Sequence, residues 1–236
     1  MISFIKFYII FITFVYFIFC TLFYFSFKRK TRHIVLFGSI GAGKSTFAKY
    51  LKEFLEKKGL KVYVCEELAI KHYDALAHYY LDLKSIKEKS FWFQSYLISK
   101  YENFYNYELK KFENNYDVVV HDRSYYDTYV FSKLNITNQK DLDFLDKECK
   151  KIKMYFDLTI YLNPGLEKCI EYKEKRDRQV EQDVDHNYLQ QVFFMYEELK
   201  DDIYPNSLFF NSSINLNNYI NVLQRMYDSG SFNNII

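Results

Sequence analysis

The sequence predicts an α/β protein, a three-layer sandwich in which helices cover both faces of a five-stranded parallel sheet. From residue 33 onward, short β-rich runs alternate with longer helical stretches, which is typical of parallel sheets connected through helices. Two of the runs, residues 34–37 and 118–120, are continuously apolar, as expected for central strands that are buried on both faces.

The predicted elements follow one another without a linker or an internal repeat. Strands are predicted at residues 34–37, 61–65, 117–121, 158–162 and 207–210. Helices are predicted between them, at residues 45–58, 89–114, 139–153, 165–176 and 187–203. We therefore predict one α/β domain over residues 33–236, preceded by a separate segment of residues 1–32.

The preceding segment contains an uncharged run, residues 7–27, rich in Phe and Ile. As a helix it would be about 31 Å long, enough to cross a hydrocarbon core of about 30 Å. A basic cluster at residues 28–33 follows, which favours a cytoplasmic location for the chain beyond it. We predict a single-pass membrane anchor that contacts lipid through residues 7–27, the alternative being a cleaved or peripheral segment.

The loop after the first strand carries the pattern G-x-x-x-x-G-K-S, flanked by a strand and a helix. Its residues are Gly38, Ser39, Ile40, Gly41, Ala42, Gly43, Lys44, Ser45 and Thr46. The loop N–H groups and the helix N-terminus attract phosphate, Lys44 reaches the outer phosphates of a nucleoside triphosphate, and Ser45 can ligate Mg²⁺. The motif predicts an ATP site and a fold of the P-loop NTPase type.

Carboxylates follow two of the predicted strands. Glu66 and Glu67 end one strand, and one of them should face the phosphate loop while its neighbour turns away. Such a carboxylate could accept a proton from a hydroxyl or hold a metal-bound water, or the two could be a solvated pair. Asp122 and Arg123 end another strand, where an acid can assist Mg²⁺ and a guanidinium can bind phosphate, unless they only pair with each other.

Two further segments carry candidate residues. Gln94 lies inside an aromatic helical segment, where its amide could bind the edge of a base, or simply lie on the wet side of a core helix. Arg176 and Arg178 are two residues apart, so they share no helical face unless the helix ends there. This pattern suits a basic lid that closes on a phosphoryl group, the alternative being an exposed charged helix.

Taken together, these motifs resemble the deoxynucleoside kinase family, which includes thymidine kinase 2-like, deoxycytidine, deoxyguanosine and deoxyadenosine kinases. The resemblance spans residues 33–212. It implies that Glu66 is the general base for a 5′-hydroxyl and lies near the metal, and that Arg123 contacts the 5′-hydroxyl and phosphate. It also implies that Asp122 and Ser45 lie in the metal shell.

The resemblance further implies how the acceptor is held. Gln94 would pair with the base, Glu181 would bind the sugar 3′-hydroxyl, and Tyr80, with Tyr79 as second choice, would share the sugar contact. Lys44 would serve catalysis, and Arg176 and Arg178 would be the lid arginines. We also expect a homodimer.

We therefore predict a membrane-anchored, ATP- and Mg²⁺-dependent kinase that phosphorylates the 5′-hydroxyl of a deoxyribonucleoside in nucleotide salvage. A rival within enzymes is a nucleoside monophosphate kinase of the thymidylate kinase type, which Glu66 disfavours because its charge would repel a phosphate acceptor. A rival of another class is a non-catalytic membrane-bound nucleotide-binding protein. A net charge of +2 excludes a nucleic-acid polymer as the expected partner, and scattered cysteines exclude an expected zinc site.

Overall fold

Five parallel strands form the centre of the computed structural model, which describes residues 31–205, 207–210 and 216–230. The strands are β1 (Arg32–Phe37), β2 (Val62–Cys65), β3 (Val118–Asp122), β4 (Leu158–Leu162) and β5 (Leu208–Phe210). Their spatial order is β2-β3-β1-β4-β5, and every neighbouring pair is parallel. The predicted five-stranded parallel sheet is confirmed.

Helices connect the strands and cover both faces of the sheet. They are α1 (Lys44–Lys57), α2 (Leu68–Lys71), α3 (Tyr73–Tyr80), α4 (Ile86–Asn103), α5 (Asp127–Asn135), α6 (Gln139–Cys149), α7 (Leu166–Arg176), α8 (His186–Ile203) and α9 (Leu216–Asp228). Strand β1 shows why two helical layers are needed. Ile34 and Leu36 pack into one apolar cluster with Leu51 of α1, whereas Val35 and Phe37 pack into the cluster on the opposite face.

The helices between the strands were predicted less accurately than the strands themselves. The helix predicted at residues 89–114 begins earlier and ends at Asn103, where it continues as a π-helical turn (Phe104–Glu108) and two 3₁₀ turns. Helix α9, which follows the last strand, was not predicted, and neither were α2, α3 and α5 between the strands. The reason is clearest for α2, α3 and α5. They are short, and α3 buries only Leu76, Tyr79 and Tyr80, so its helical spacing covers barely one turn.

The predicted membrane localisation is corrected. Among the residues that the structure describes, no helix is long and apolar enough to cross a membrane. Residues 7–27, on which the predicted anchor depends, lie outside the described residues. Residues Thr31–Ile236 form one compact unit, and the predicted division into residues 1–32 and 33–236 stays a prediction.

The register of the sheet positions the candidate site. Cys65, at the end of β2, pairs with His121, and Leu36, near the end of β1, pairs with Asp122. The chain segments that follow β1, β2 and β3 therefore leave the sheet side by side at one edge. Ligands of open parallel sheets bind at this carboxyl edge.

Candidate active site

A cavity of about 500 Å³ lies at the carboxyl edge of β1, β2 and β3. The predicted site residues that line it are Ile40, Gly41, Ala42, Gly43, Lys44, Ser45, Thr46, Tyr80, Gln94, Arg123, Arg176, Arg178 and Glu181. Gly38, Ser39, Glu66 and Asp122 are not part of this lining. The sheet edge thus gathers residues that are as much as 141 positions apart in the sequence, from Ile40 to Glu181.

Lys44 lies at the bottom of the phosphate loop and is almost completely buried. Its Nζ donates hydrogen bonds to the carbonyl oxygens of Gly38, at 3.0 Å, and Ser39, at 2.8 Å. Burial, together with the nearby Arg123 charge, lowers the pKa of Lys44 to about 8. The loop therefore holds a desolvated ammonium group where phosphate oxygens of a nucleotide would bind.

Ser45 and Asp122 form the second feature of the loop. The Ser45 hydroxyl donates to Oδ2 of Asp122 at 2.6 Å. Burial raises the pKa of Asp122, against the opposing Lys44 charge, and its Oδ1 is buried without a hydrogen-bond partner among the described residues. A free carboxylate oxygen beside a hydroxyl and a phosphate site fits Mg²⁺, which usually takes one or two protein oxygens together with phosphate and water.

The carboxylate at the end of β2 is where the structure differs from the prediction. Glu66 is exposed and does not line the cavity, whereas Glu67 does. The strand ends at Cys65, and Glu67 already caps α2, so the alternation of a strand no longer decides which side chain faces the loop. The prediction that Glu66 faces the phosphate loop is therefore wrong, and Glu67 takes this place.

Glu67 is surrounded by cations. Its Oε1 lies 2.8 Å from Nε of Arg123, and its Oε2 lies 3.8 Å from Nη1 of Arg178. Burial acts to raise the pKa of Glu67, but Arg123, Lys44, Arg178 and Arg176 together outweigh it and lower the pKa. The carboxylate is therefore ionised at neutral pH.

Arg123 is buried and makes contacts in several directions. Its backbone has a φ of 70°, which is unusual for a residue with a side chain. Besides Glu67, its Nη1 donates to the Gly38 carbonyl oxygen at 3.1 Å, to Oδ1 of Asp127 at 3.0 Å, and to the Tyr196 hydroxyl. The guanidinium thus connects the phosphate loop, the end of β2, α5 and α8.

Arg176 and Arg178, the predicted lid arginines, flank a break in the chain. Helix α7 ends at Arg176, Asp177 has a φ of 44°, and Arg178 begins an irregular stretch before a 3₁₀ turn that contains Glu181. This break allows both arginines to approach one carboxylate. Arg176 forms an ion pair with Oε2 of Glu181, and Nη1 of Arg178 lies 3.5 Å from its Oε1.

The described lining of the cavity also includes several aromatic side chains and a single amide, Gln94. Gln94 is almost completely buried, and its amide lies near the Tyr79 hydroxyl without forming a hydrogen bond of good geometry among the described residues. Tyr79 and Tyr80 both line the cavity. The Tyr79 hydroxyl contacts Ser90 and accepts a hydrogen bond from Asn135 at 3.1 Å, which leaves Tyr80 as the better candidate for a ligand contact.

Sequence reasoning missed Asp127 and Tyr196. Asp127 follows Arg123 by four residues at the start of a helix, and this spacing of opposite charges was a usable signal. Its Oδ2 accepts from the backbone N–H of Ser124 at 2.9 Å, which fixes the turn between β3 and α5. Tyr196 is one of 24 tyrosines and carries no distinguishing signal.

The site and the fold can be compared with known proteins. The sequence pattern of the family described as deoxynucleoside kinase matches residues 34–229. The chain belongs to the deoxynucleoside kinase family. The predicted enzyme class and activity, a kinase that uses ATP to phosphorylate a deoxynucleoside, are confirmed with the family.

Individual relatives agree with this assignment. The chain is 29% identical over 184 residues to a deoxyadenosine kinase of Dictyostelium discoideum. This match covers 72% of this chain and 67% of that protein. It is 29% identical over 163 residues to the putative kinase protein 143R of Invertebrate iridescent virus 6, which covers 67% of this chain and 77% of that protein.

A solved structure of a deoxyadenosine kinase from M. mycoides, with the products dCMP and dCDP bound, superposes with a TM-score of 0.66 at 25% identity. The match covers 84% of this chain and 99% of that one. A further structure of that protein, with dATP bound, gives a TM-score of 0.66 at 23% identity. None of these matches singles out thymidine, and the individual roles of the site residues stay proposals.

Gly41→Ala tests the shape of the loop. With a φ of 76°, Gly41 lies so close to Cys169 that an added Cβ would be 2.0 Å from its carbonyl oxygen. We expect the variant to lose nearly all ATP binding, measured by calorimetry. Gly59→Ala is the control, because Gly59 also has a positive φ, 86°, but nothing lies within 4 Å; it should cost roughly 1 kcal/mol of stability and leave ATP binding intact. Equal ATP affinity in the two variants would contradict this account.

The lowered pKa of Lys44 predicts a pH dependence of ATP binding. Below its pKa of about 8 Lys44 is charged and attracts phosphate, and above it the charge is lost, so ATP affinity should fall as the pH rises from 7 to 9.5. Dissociation constants measured across this range check the direction. In Lys44→Arg, whose charge persists throughout, any remaining affinity should not fall in this way. A wild-type affinity that is constant with pH would refute the prediction.

Proposed function

We propose that this kinase transfers the terminal phosphoryl group of ATP to the 5′-hydroxyl of a deoxyribonucleoside, with Glu67 as the general base. The observation that carries the proposal is the position of Glu67. Its ionised carboxylate lines the same cavity as Lys44 and lies against Arg123, rather than among groups that would keep it protonated. A neutral hydroxyl acceptor needs such a base, whereas a phosphate acceptor would be repelled by it.

The proton transfer follows from this arrangement. A 5′-hydroxyl within hydrogen-bond distance of Glu67 would donate its proton to the carboxylate as the oxygen attacks the phosphorus atom. Arg123, which keeps the pKa of Glu67 low, also offers a guanidinium to the attacking oxygen or to the transferred phosphoryl group. The role first predicted for Glu66 is thus proposed for Glu67.

The charge of the transferred group is stabilised by several cations. Lys44, Arg176 and Arg178 line the cavity on the side of the phosphate loop and the lid, where they can bind the phosphoryl oxygens. Ser45 and Asp122 would hold Mg²⁺, which supplies further positive charge to the phosphates. Because phosphoryl transfer depends mainly on positioning and charge stabilisation, no further reactive group is required.

The remaining polar groups suit a nucleoside. The buried Gln94 amide, which offers both a donor and an acceptor and makes no hydrogen bond of good geometry with the described residues, is proposed to pair with the base. Glu181 and Tyr80 are proposed to bind the sugar 3′-hydroxyl. Two of the reported relatives, from Dictyostelium discoideum and M. mycoides, are deoxyadenosine kinases, and the second has been seen with dATP and with dCMP and dCDP. We propose that this chain accepts deoxyadenosine and deoxycytidine, since both place an amino donor beside a ring nitrogen acceptor, which one amide can complement.

We also propose that the product enters nucleotide salvage for DNA synthesis and that the enzyme is a homodimer. The dimer is supported by the family resemblance alone. Analytical ultracentrifugation of the full chain tests it, and a monomer at micromolar concentration would refute it.

The substrate is tested with a panel of acceptors. The purified full chain, with ATP and Mg²⁺, should phosphorylate both deoxyadenosine and deoxycytidine, measured by chromatography of the nucleotide products. The corresponding deoxynucleoside monophosphates should not be phosphorylated, because Glu67 would repel their charge. Phosphorylation of monophosphates alone would instead support the rival kinase of the thymidylate kinase type.

Neighbouring carboxylates provide a matched test of the base. We expect Glu67→Gln to lower kcat by roughly 10²- to 10⁴-fold, the range for removal of a general base, while nucleoside binding changes much less. Glu66→Gln, one residue away and exposed, should leave kcat within about threefold of the wild type. The reverse ranking of the two variants would restore the original assignment to Glu66 and refute the proposal for Glu67.

A further inference from the structure

Tyr196 occupies a place beside the candidate active site that the proposed function does not use. It lies on α8, is 1% exposed, and is not part of the cavity lining. Its hydroxyl accepts a hydrogen bond from Nη1 of Arg123 and donates one to Oδ1 of Asp127. The same Nη1 also donates directly to Asp127, so the three side chains form a closed ring of hydrogen bonds.

This ring fixes the guanidinium on the side away from Glu67. Nε of Arg123 lies 2.8 Å from Oε1 of Glu67 in an ion pair without hydrogen-bond geometry, while Nη1 donates to Asp127, Tyr196 and the Gly38 carbonyl oxygen. A guanidinium is planar, so its orientation toward Glu67 is set once Nη1 is held. The backbone of Arg123 does not set the orientation of the guanidinium alone. Its φ of 70° is an unfavourable backbone conformation for a residue with a side chain, and it persists only with support from surrounding contacts.

The position of Tyr196 in the chain adds a second connection. Helix α8 begins at His186, five residues after Glu181 of the lid. The helix that carries Tyr196 is therefore the one into which the lid segment runs. Its earlier residue Tyr188 accepts a hydrogen bond from Asn135 near the nucleoside end of the cavity. Helix α8 thus contacts Asn135 through Tyr188 and both Arg123 and Asp127 through Tyr196.

We propose that Tyr196 is a positioning residue that holds Arg123 in the orientation needed for catalysis, an inference that rests on the role proposed for Arg123 and Glu67. Tyr196 touches neither reactant, because it lies behind Arg123. Without its hydroxyl, Nη1 keeps Asp127 and Gly38 as acceptors, so the fold is retained. The Asp127 carboxylate, however, loses the hydrogen bond that Tyr196 donates to it, so the acceptor that directs Nη1 is less firmly held. The consequence is a loss of transition-state stabilisation without a comparable loss of ground-state binding.

Tyr196→Phe tests the proposal, with Tyr204→Phe as the matched control. Tyr204 is also buried, and its hydroxyl contacts the neighbouring Ser124 side chain rather than Arg123. In the full chain, Tyr196→Phe should lower kcat by roughly tenfold to hundredfold, with KM for nucleoside and for ATP within about threefold. Both variants should lower the thermal midpoint of unfolding by a similar amount, since each loses a buried, hydrogen-bonded hydroxyl. Tyr204→Phe, however, should keep kcat within about threefold of the wild type.

The other outcomes overturn the proposal. Equal losses of kcat in both variants would indicate a general effect of stability, and a rise in KM alone would indicate a role in binding. An unchanged kcat in Tyr196→Phe would remove the role altogether. If the wild type phosphorylates no deoxynucleoside, that result refutes the proposed function and is distinct from the outcomes that concern Tyr196.

A measurement that does not depend on activity tests the positioning role separately from the proposed function. The Nε–H NMR signal of Arg123, assigned with Arg123→Lys, should shift or broaden in Tyr196→Phe and stay unchanged in Tyr204→Phe. An unchanged Arg123 signal in both variants would overturn the positioning role, whatever the activity of the wild type.

Discussion

The contact between Arg123 and Glu67 is the constraint on which the rest of the site depends. Both side chains are largely buried, and a buried charge is tolerated only when it is paired and hydrogen-bonded. Removing one partner of such a pair typically costs about 3–5 kcal/mol, because the other charge stays buried. The surroundings of Arg123 meet this requirement through Asp127, Tyr196 and the Gly38 carbonyl oxygen.

These partners come from four different segments, and this explains how a local contact organises the whole cavity. Gly38 follows β1, Glu67 follows β2, Asp127 begins α5, and Tyr196 lies on α8. A parallel sheet brings the ends of β1, β2 and β3 to one edge, but it does not fix where the side chains point. The guanidinium does so by requiring acceptors in fixed directions. The phosphate loop and the acceptor end of the cavity are thereby held in one arrangement.

The sequence predicted the parts of this arrangement that depend on local pattern. The apolar runs of β1 and β3 and the glycine-rich loop have a recognisable form, so the sheet, the triphosphate site and the family followed from them. The choice between Glu66 and Glu67 did not, because β2 ends at Cys65 and the pleat of a strand says nothing about the residues beyond its end. Tyr196 was out of reach for another reason. It meets Arg123 across 73 positions of sequence, and nothing in its neighbours marks it.

Carboxylates and cations that line the cavity neutralise one another, and this bears on how one cavity could bind both a nucleoside and ATP. Arg176 and Arg178 both pair with Glu181, and Arg178 also approaches Glu67. Each of these carboxylates has a proposed partner in the nucleoside, a 3′-hydroxyl for Glu181 and a 5′-hydroxyl for Glu67, while each arginine has one in the phosphates. Binding of a nucleoside and ATP would therefore exchange ion pairs within the protein for contacts with the substrates. Because the carboxylates and cations neutralise one another beforehand, the buried cavity can hold this many charges before either substrate arrives.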